Sequence, residues 1–171
     1  MKGFTLIELL AVIVIMGILM VVAIPAVSRT ITNTRKDTYL NTAKQYVNQV
    51  KTLWAADGLL CDDTNSSVTS AGTYYVEINS AEDQLLEEGG TSPWKNNTKG
   101  YVKVVRNLKT GTSNEFENVY SVFITDTAGN RIGKSDTPVQ FDRLTRSDVS
   151  LDSSEAGYTY DHTDTETCKV Q

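Results

Sequence analysis

KGFTLIELLA, residues 2–11, opens the most apolar stretch of this 171-residue chain, and it contains a glutamate. From Leu9 to Ser28, twenty residues follow without a charged side chain. As a helix they would span about 30 Å, the thickness of the hydrocarbon core of a bilayer. A core helix of a soluble protein is rarely apolar on every face over such a length. The stretch therefore predicts a membrane-spanning helix with Glu8 close to its start.

A cleaved secretory signal is the competing interpretation of this stretch. Such a signal has a shorter apolar core, followed by a cleavage site of the A-x-A kind. AIPAVSRT, residues 23–30, offers only a weak site of this kind. The positive-inside rule does not settle the orientation in the membrane. One basic residue precedes the stretch and three follow it, so the count alone would favour the wrong end as the cytoplasmic one. The basic residues are Lys2 before it and Arg29, Arg35 and Lys36 after it.

The N-terminal residues resemble those of type IV prepilins. The resemblance lies in Gly3, in the Phe4 that follows it, and in TLIELL, which places Glu8 fifth after the glycine. About twenty apolar residues come next, and Gly17 and Pro25 stand where pilins of this kind carry a glycine and a proline. The resemblance covers about a seventh of the chain.

The resemblance implies a processing step. In prepilins a dedicated peptidase cleaves after the glycine on the cytoplasmic side and methylates the new N-terminal amine. The apolar stretch is retained and becomes the core of a filament. For this chain the resemblance implies a leader of residues 1–3, a cut between Gly3 and Phe4, and N-methylation of Phe4. The leader has fewer basic residues than is usual in the family.

Glu8 places a carboxylate in apolar surroundings, which is costly unless the charge is paired. Within one membrane-resident copy of the chain, the sequence offers no evident partner for it. The resemblance implies that the partner is the N-terminal amine of Phe4 in an adjacent subunit, so that Glu8 guides assembly. The alternative is that Glu8 lies at the membrane interface, since it is close to the helix start.

Beyond the apolar stretch the helical pattern continues and becomes amphipathic. Apolar residues recur at spacings of three and four, which predicts one buried face. We expect one helix from about Phe4 to about Asp57, capped by Gly58. Pro25 lacks a backbone donor and Gly17 is a poor helix former, so a kink or a melted turn is predicted near them. The predicted face consists of Leu40, Ala43, Val47, Val50 and Trp54, widened by Tyr39, Tyr46 and Leu53.

The residues after the helix predict an antiparallel sheet. GYVKVVRN (100–107) and NVYSVFITD (118–126) alternate and are rich in β-branched and aromatic side chains, which is typical of strands. TAGN then turns the chain towards RIGK and PVQFDR, a predicted third or fourth strand. Residues 58–79 are interpreted as a long loop with a short extended piece at TYYVEI, and SAEDQLLEEGG (80–90) as a short helix.

A long helix followed by such strands is an α+β design, and the pilin fold that the resemblance implies has the same order. The predicted divisions are a leader (1–3), an apolar helix half (4–28), an amphipathic helix half (29–57) and a globular head (58–171). Within the head, SPWKNNTKGYVKV (92–104) is interpreted as a loop whose tryptophan fills the core before the chain enters the sheet.

Two cysteines stand far apart in the head, at Cys61 and Cys168. In an extracellular domain two cysteines usually pair, and closing so long a loop stabilises the fold by about 4.7 kcal/mol in the entropic description. A disulfide is our main prediction, and free thiols or a metal site with His162 are the alternatives. The acidic side chains near the cysteines predict a solvated surface, with calcium binding as the alternative. They are Asp62, Asp63, Asp161, Asp164 and Glu166.

Charge and motifs exclude several function classes. The formal net charge is −5, and residues 55–171 hold nineteen acidic against ten basic side chains. Such a head does not suit nucleic acid or an anionic membrane surface as its main partner. The sequence has no nucleophile elbow, P-loop or zinc-protease motif. We expect no catalytic residues, no cofactor, no bound metal and no enzymatic activity.

The prediction for function is the structural subunit of a type IV pilus, which polymerises with further copies of itself. Its other expected partners are a prepilin peptidase and inner-membrane assembly machinery. We expect a single-pass precursor in the cytoplasmic membrane and a cell-surface filament after assembly. A pseudopilin of a type II-like secretion or competence system is one alternative, and a membrane-tethered binding module is another.

Overall fold

The computed structural model of the protein describes residues 3–56, 59–61, 70–81, 85–86, 91–111, 115–161 and 166–170. The chain forms two compact units, Met1–Arg35 and Lys36–Gln171. One helix, α1 (Leu6–Ala55), contributes to both units.

Helix α1 runs for 50 residues without interruption, through both Gly17 and Pro25. It begins two residues later and ends two residues earlier than the helix that the sequence predicts. The predicted cap, Gly58, lies outside the described residues. The helix contains no melted turn at the proline, and a kink there stays a prediction.

The first unit presents apolar side chains to its surroundings. Every described residue from Gly3 to Ile31 is exposed, and Ile7 and Val21 each keep 74% of their surface accessible. A contiguous apolar surface of this size is unfavourable in water. Among the described residues, α1 is long and apolar enough to cross a membrane, judged by its length and composition.

The described part of the second unit contains an eight-stranded sheet. The strands are β1 (Leu59–Leu60), β2 (Gly72–Asn79), β3 (Thr98–Leu108), β4 (Phe116–Asp126), β5 (Asn130–Ile132), β6 (Val139–Gln140), β7 (Val149–Leu151) and β8 (Glu166–Val170). They lie in the order β1-β8-β2-β3-β4-β5-β7, and β6 pairs with β4. Two 3-10 helices, Phe141–Arg143 and Arg146–Asp148, lie between β6 and β7.

The centre of the sheet is an antiparallel meander of β2, β3 and β4. Val76 pairs with Val102, and Val102 pairs with Val122. These pairings confirm the strands predicted over 100–107 and 118–126. The extended piece predicted at TYYVEI is confirmed, and the strand is one residue longer at each end, Gly72–Asn79. Its alternate residues are buried in the core, and it pairs along its whole length with β3.

The α+β class is confirmed, and the sheet is mixed rather than wholly antiparallel. Strand β8 lies parallel to β2, with Tyr75 opposite Thr167, and antiparallel to β1. A parallel neighbour requires a long connection, and here the whole of β3 to β7 lies between the two strands. The alternation of side chains along a strand carries no information about its direction, so the sequence pattern did not reveal this pairing.

Two smaller predictions differ from the structure. PVQFDR forms only two residues of strand, Val139–Gln140, because the chain then turns into a 3-10 helix. That turn places the Phe141 ring 3.6 Å from Lys51 Nζ, a favourable cation–π contact. The helix predicted over 80–90 falls mostly outside the described residues, and the described Leu85 and Leu86 are not helical.

One face of the sheet packs on the second half of α1. Three residues of the predicted helix face are fully buried, and each valine among them stabilises the fold by about 1.5–3 kcal/mol. Tyr39 is also fully buried, and its ring meets that of Trp94 edge-on at 5.8 Å. The three buried residues are Ala43, Val47 and Val50, and Leu40 and Trp54 pack partly buried at the margin.

The C-terminal segment covers the opposite face of the sheet. Tyr101 and Phe123 alternate with the core residues of β3 and β4, yet they are 2% and 0% exposed. The Tyr158 ring packs edge-on against Phe123 at 4.8 Å, and Thr125 donates its hydroxyl to the Glu155 carbonyl. This second apolar layer was not predicted, because residues 145–167 are polar in sequence and show no periodicity. Burial raises the pKa of the Tyr101 and Tyr158 phenols.

A buried carboxylate holds the loop around Trp94. Asp126, at the end of β4, is 2% exposed. It accepts hydrogen bonds from Ser92 Oγ at 2.8 Å, from Asn96 Nδ2 at 3.0 Å and from Asn130 Nδ2 at 2.8 Å. Two backbone N–H groups of the following turn also donate to it. The five donors offset the loss of water around the charge, and they fix the loop that presents the tryptophan to the core.

The hydrogen bonds also set the protonation of Asp126. Burial alone raises its pKa, but the bonds from Asn130, Asn96 and Ser92 outweigh burial, and the net pKa is lowered. A carboxylate whose pKa is lowered by folding stabilises the protein at pH values above its unfolded pKa, about 3.9. That contribution is lost as the pH falls through the lower pKa of the folded state.

We expect Asp126→Asn to lower the free energy of unfolding at pH 7 by about 1–3 kcal/mol, since the amide brings a donor into a site built from donors. The variant should also lose less stability than the wild type between about pH 5 and pH 2, because it lacks the titrating group. Denaturant unfolding of the full chain in detergent measures both effects. Asp142→Asn, at an exposed position, is the control and should stay within about 0.5 kcal/mol of wild type. Equal stability of Asp126→Asn and wild type at pH 7 would contradict the role of Asp126.

Candidate assembly and processing site

Helix α1 begins with a reciprocal hydrogen-bonded cap. Glu8 Oε2 accepts one bond from the Thr5 backbone N–H and another from the Thr5 hydroxyl, both at 2.8 Å. The Glu8 backbone N–H in turn donates to Thr5 Oγ1 at 3.4 Å. Thr-x-x-Glu is the sequence of a capping box. Glu8 therefore satisfies a backbone donor that the first turn of the helix would otherwise leave without a partner.

The sequence interpretation gave the charge of Glu8 no partner within one copy of the chain, and it did not foresee the hydrogen bonds from Thr5. The signal was Thr5, three residues earlier, which we interpreted only as part of the TLIELL segment that carries the resemblance. The partners that Thr5 supplies are a hydroxyl and an amide, and neither cancels the charge. Among the ion pairs of the described residues, none involves Glu8. The structure thus orients the carboxylate at the helix start, and no cation of a described residue compensates its charge.

Gly3 and Phe4 lie immediately before the helix. Both are exposed, and the Phe4 side chain keeps 89% of its surface accessible. A Cβ atom added at Gly3 would meet no other atom within 4 Å. The described fold therefore leaves room for a Cβ atom at residue 3.

A family model described as the prokaryotic N-terminal methylation motif matches residues 1–24. The motif marks the chain as a type IV prepilin, of the pilin or pseudopilin type. The match includes Gly3, Phe4, Thr5, Glu8 and Gly17 and does not extend to the head. No curated protein and no solved structure matches the chain. Prepilins are structural proteins that a prepilin peptidase processes and that partners in pilus assembly then assemble.

In the head of this prepilin a disulfide joins Cys61 to Cys168, which are 107 residues apart. Both cysteines are buried, at 1% and 2% exposure. Cys61 follows β1, and Cys168 lies in β8 opposite Val76 of β2. The bond therefore fastens the C-terminal strand to the edge of the sheet.

The alternative metal sites depend largely on side chains that the structure does not describe. His162 and Asp164 lie outside the described residues, as do Asp62 and Asp63. Within the described ranges, no three His, Cys, Asp or Glu residues are grouped to hold a metal ion. The solvated acidic surface and its calcium alternative both stay predictions.

We expect the disulfide to be present in the prepilin isolated from membranes or filaments. Peptide mapping without reductant should recover the segments of Cys61 and Cys168 as one linked species. Reduction should lower the free energy of unfolding by up to about 4.7 kcal/mol, because the unfolded chain regains its freedom. The paired variant Cys61→Ala with Cys168→Ala should lose a similar amount without reductant. Two thiols that alkylate in the freshly isolated protein would contradict the expectation.

Proposed function

We propose that this prepilin is the structural subunit of a type IV pilus, polymerising through α1 after cleavage between Gly3 and Phe4 and N-methylation of Phe4. The observation that carries the proposal is the methylation motif, followed by an apolar helix whose side chains are exposed as far as Ile31. In the precursor, lipid covers this surface. After extraction from the membrane another apolar surface must cover it, and the same helix of neighbouring copies supplies one.

Glu8 acts in this proposal as the group that sets the position of each incoming subunit. Its carboxylate carries a charge that Thr5 orients but does not neutralise. The amine of Phe4 in a neighbouring subunit would supply the opposite charge. In surroundings of low polarity such a pair is strongly preferred over two separated charges. The proposed precursor spans the cytoplasmic membrane once, is cut by a prepilin peptidase and is assembled by inner-membrane machinery into a surface filament.

A pseudopilin of a type II-like secretion or competence system is the second candidate, because the matched motif marks both kinds of prepilin. The two differ in the length and location of the filament. Electron microscopy of filaments sheared from cells, combined with peptide sequencing, distinguishes them. Long surface filaments made of this chain support the pilus. If the chain is processed but occurs only in short assemblies inside the cell envelope, the pilus is excluded in favour of the pseudopilin.

Processing provides the first test of this function. Mass spectrometry of the mature protein should find an N-methylated Phe4 as its first residue. Gly3→Leu should leave the uncut precursor in the membrane, because the bulkier side chain fits the fold but not the peptidase. Gly3→Ala, the smallest change at this position, should be cut more completely than Gly3→Leu. A mature protein that retains Met1, or that starts near Ala26, would contradict the pilin function.

Glu8 and Thr5 allow charge and helix capping to be tested separately. Glutamine also serves in a capping box, so Glu8→Gln removes the charge and keeps the cap. Thr5→Ala keeps the charge and removes the hydroxyl, at a cost of about 1 kcal/mol to the helix start. If the charge sets subunit position, Glu8→Gln should insert and be cleaved normally but yield few filaments. Thr5→Ala should assemble far better than Glu8→Gln.

Filament yield is measured by electron microscopy and by quantifying the sheared fraction. Glu8→Leu, which removes both charge and cap, should insert at least as well as wild type and assemble no better than Glu8→Gln. Charge pairing would be wrong if Glu8→Gln gave wild-type yields with the same rise per subunit. A loss in Thr5→Ala without one in Glu8→Gln would assign the role of Glu8 to capping instead.

A further inference from the structure

Three basic residues, Arg29, Arg35 and Lys36, follow the apolar run of α1 and form a basic collar. From Leu9 to Lys36 the chain carries these three cations and no carboxylate. Arg29 and Arg35 are exposed, and Lys36 is partly exposed. Among the ion pairs of the described residues, none includes a member of the collar. No carboxylate in the described part of the chain therefore compensates its charge.

The carboxylate that follows the collar in the sequence is already engaged. Asp37, directly after Lys36, accepts two hydrogen bonds from the Arg146 guanidinium, one on each carboxylate oxygen. In this two-bond geometry arginine binds a carboxylate both specifically and firmly. Because Arg146 offsets the charge of Asp37, the positive charge of the collar is not reduced by the acidic residue beside it.

Most of the uncharged side chains within the collar suit the boundary of a bilayer. The hydroxyls of Thr30, Thr32 and Thr34 donate to backbone carbonyls four residues earlier. A hydroxyl that is bonded within its own helix has less need of water. Ile31 lies among these threonines and keeps 48% of its surface accessible. The cations thus stand among side chains that can meet both hydrocarbon and headgroups.

The length of the apolar run sets the depth of the collar in a membrane. The uncharged helical residues from Leu9 to Ser28 are as long as the hydrocarbon core is thick, about 30 Å. Arg29 is the first residue beyond them. Arg35 and Lys36 come about 10 Å further along the helix, and side chains of their length can reach back along an apolar surface. At this depth the cations meet the phosphate groups of the lipids.

We infer that the basic collar binds the headgroups of anionic phospholipids and so fixes the depth of the precursor in the membrane. Guanidinium groups form strong charge-assisted hydrogen bonds with phosphate oxygens. In the orientation of the proposed function, on which this step rests, the collar lies on the outer side of the membrane. Basic residues beside a span are less frequent there than on the cytoplasmic side, and lipid binding gives these three a role.

The test uses the full-length precursor, one copy in each phospholipid nanodisc, so its outcome is the same whether or not the chain forms pili. The disc contains phosphatidylcholine with a minor share of phosphatidylglycerol. Electron spin resonance of spin-labelled forms of both lipids measures which of them the protein holds. The wild type should prefer phosphatidylglycerol by at least about fivefold, the effect of one cation at an anionic surface. Sodium chloride at about 1 M should reduce this preference, because salt screens exposed charges. Equal association of the two lipids with the wild type would overturn the inference.

Variants locate the contact in the collar. The combined variant Arg29→Gln, Arg35→Gln and Lys36→Gln should reduce the preference for phosphatidylglycerol to less than about twofold. Arg29→Lys combined with Arg35→Lys keeps the charges and should retain most of the preference.

The matched control removes three charges from the head. Its positions are exposed and take part in no ion pair of the described residues. The control combines Lys95→Gln, Lys134→Gln and Arg143→Gln. It should keep the wild-type preference. Equal losses in the two triple variants would show that net charge alone attracts the lipid, and would overturn the inference.

The head of a second copy is the other partner whose charge fits the collar, since residues 55–171 hold nineteen acidic against ten basic side chains. The triple collar variant is therefore also expressed in cells, where cleavage after Gly3 reports insertion and the sheared fraction reports filaments. A variant that keeps the wild-type lipid preference and is cut normally, yet yields few filaments, would assign the collar to contacts between copies and would overturn lipid binding.

Discussion

The apolar surface of α1 has to be covered along its whole length, and this requirement shapes the rest of the protein. From Tyr39 onward the chain covers the helix itself, with the valines of β2, β3 and β4. From Gly3 to Ile31 the described residues leave it exposed. The second half can therefore be stable within one head, whereas the first half depends on lipid or on other proteins. In the proposed function, lipid covers the first half in the precursor and neighbouring copies cover it in the filament.

The start of the helix combines two roles in one side chain. As the third residue of the helix, Glu8 satisfies the donors of the preceding turn through Thr5, and a negative charge at this end is favoured by the helix dipole. Both effects stabilise a single subunit and neither needs a neighbour. The charge that remains is what the proposed assembly uses. Because the cap and the helix dipole both favour Glu8 within a single copy of the chain, a carboxylate in an apolar stretch need not destabilise the precursor.

The head depends on long-range contacts to hold its polar segments. Asp126 fixes the Trp94 loop from more than thirty residues away, and the disulfide fastens β8 to the sheet edge across 107 residues. Arg131 and Asp152 form a further pair, which ties β5 to the segment that follows β7. Because these contacts hold the C-terminal segment over the second face of the sheet, that segment can be polar in sequence and still close a cavity beside Lys99.

The sequence by itself determined the features that rest on local periodicity and on short motifs. The uncharged run after Glu8, the spacing of Ala43, Val47 and Val50, and the alternation in β3 and β4 each reflect which side of an element meets water. The Thr5–Glu8 cap was also written in the sequence, although we interpreted only its charge. Tertiary structure alone decided the parallel pairing of β8 with β2, the donors around Asp126 and the cavity beside Lys99. Each of these joins residues distant in the chain, and no local pattern specifies which distant residue will arrive.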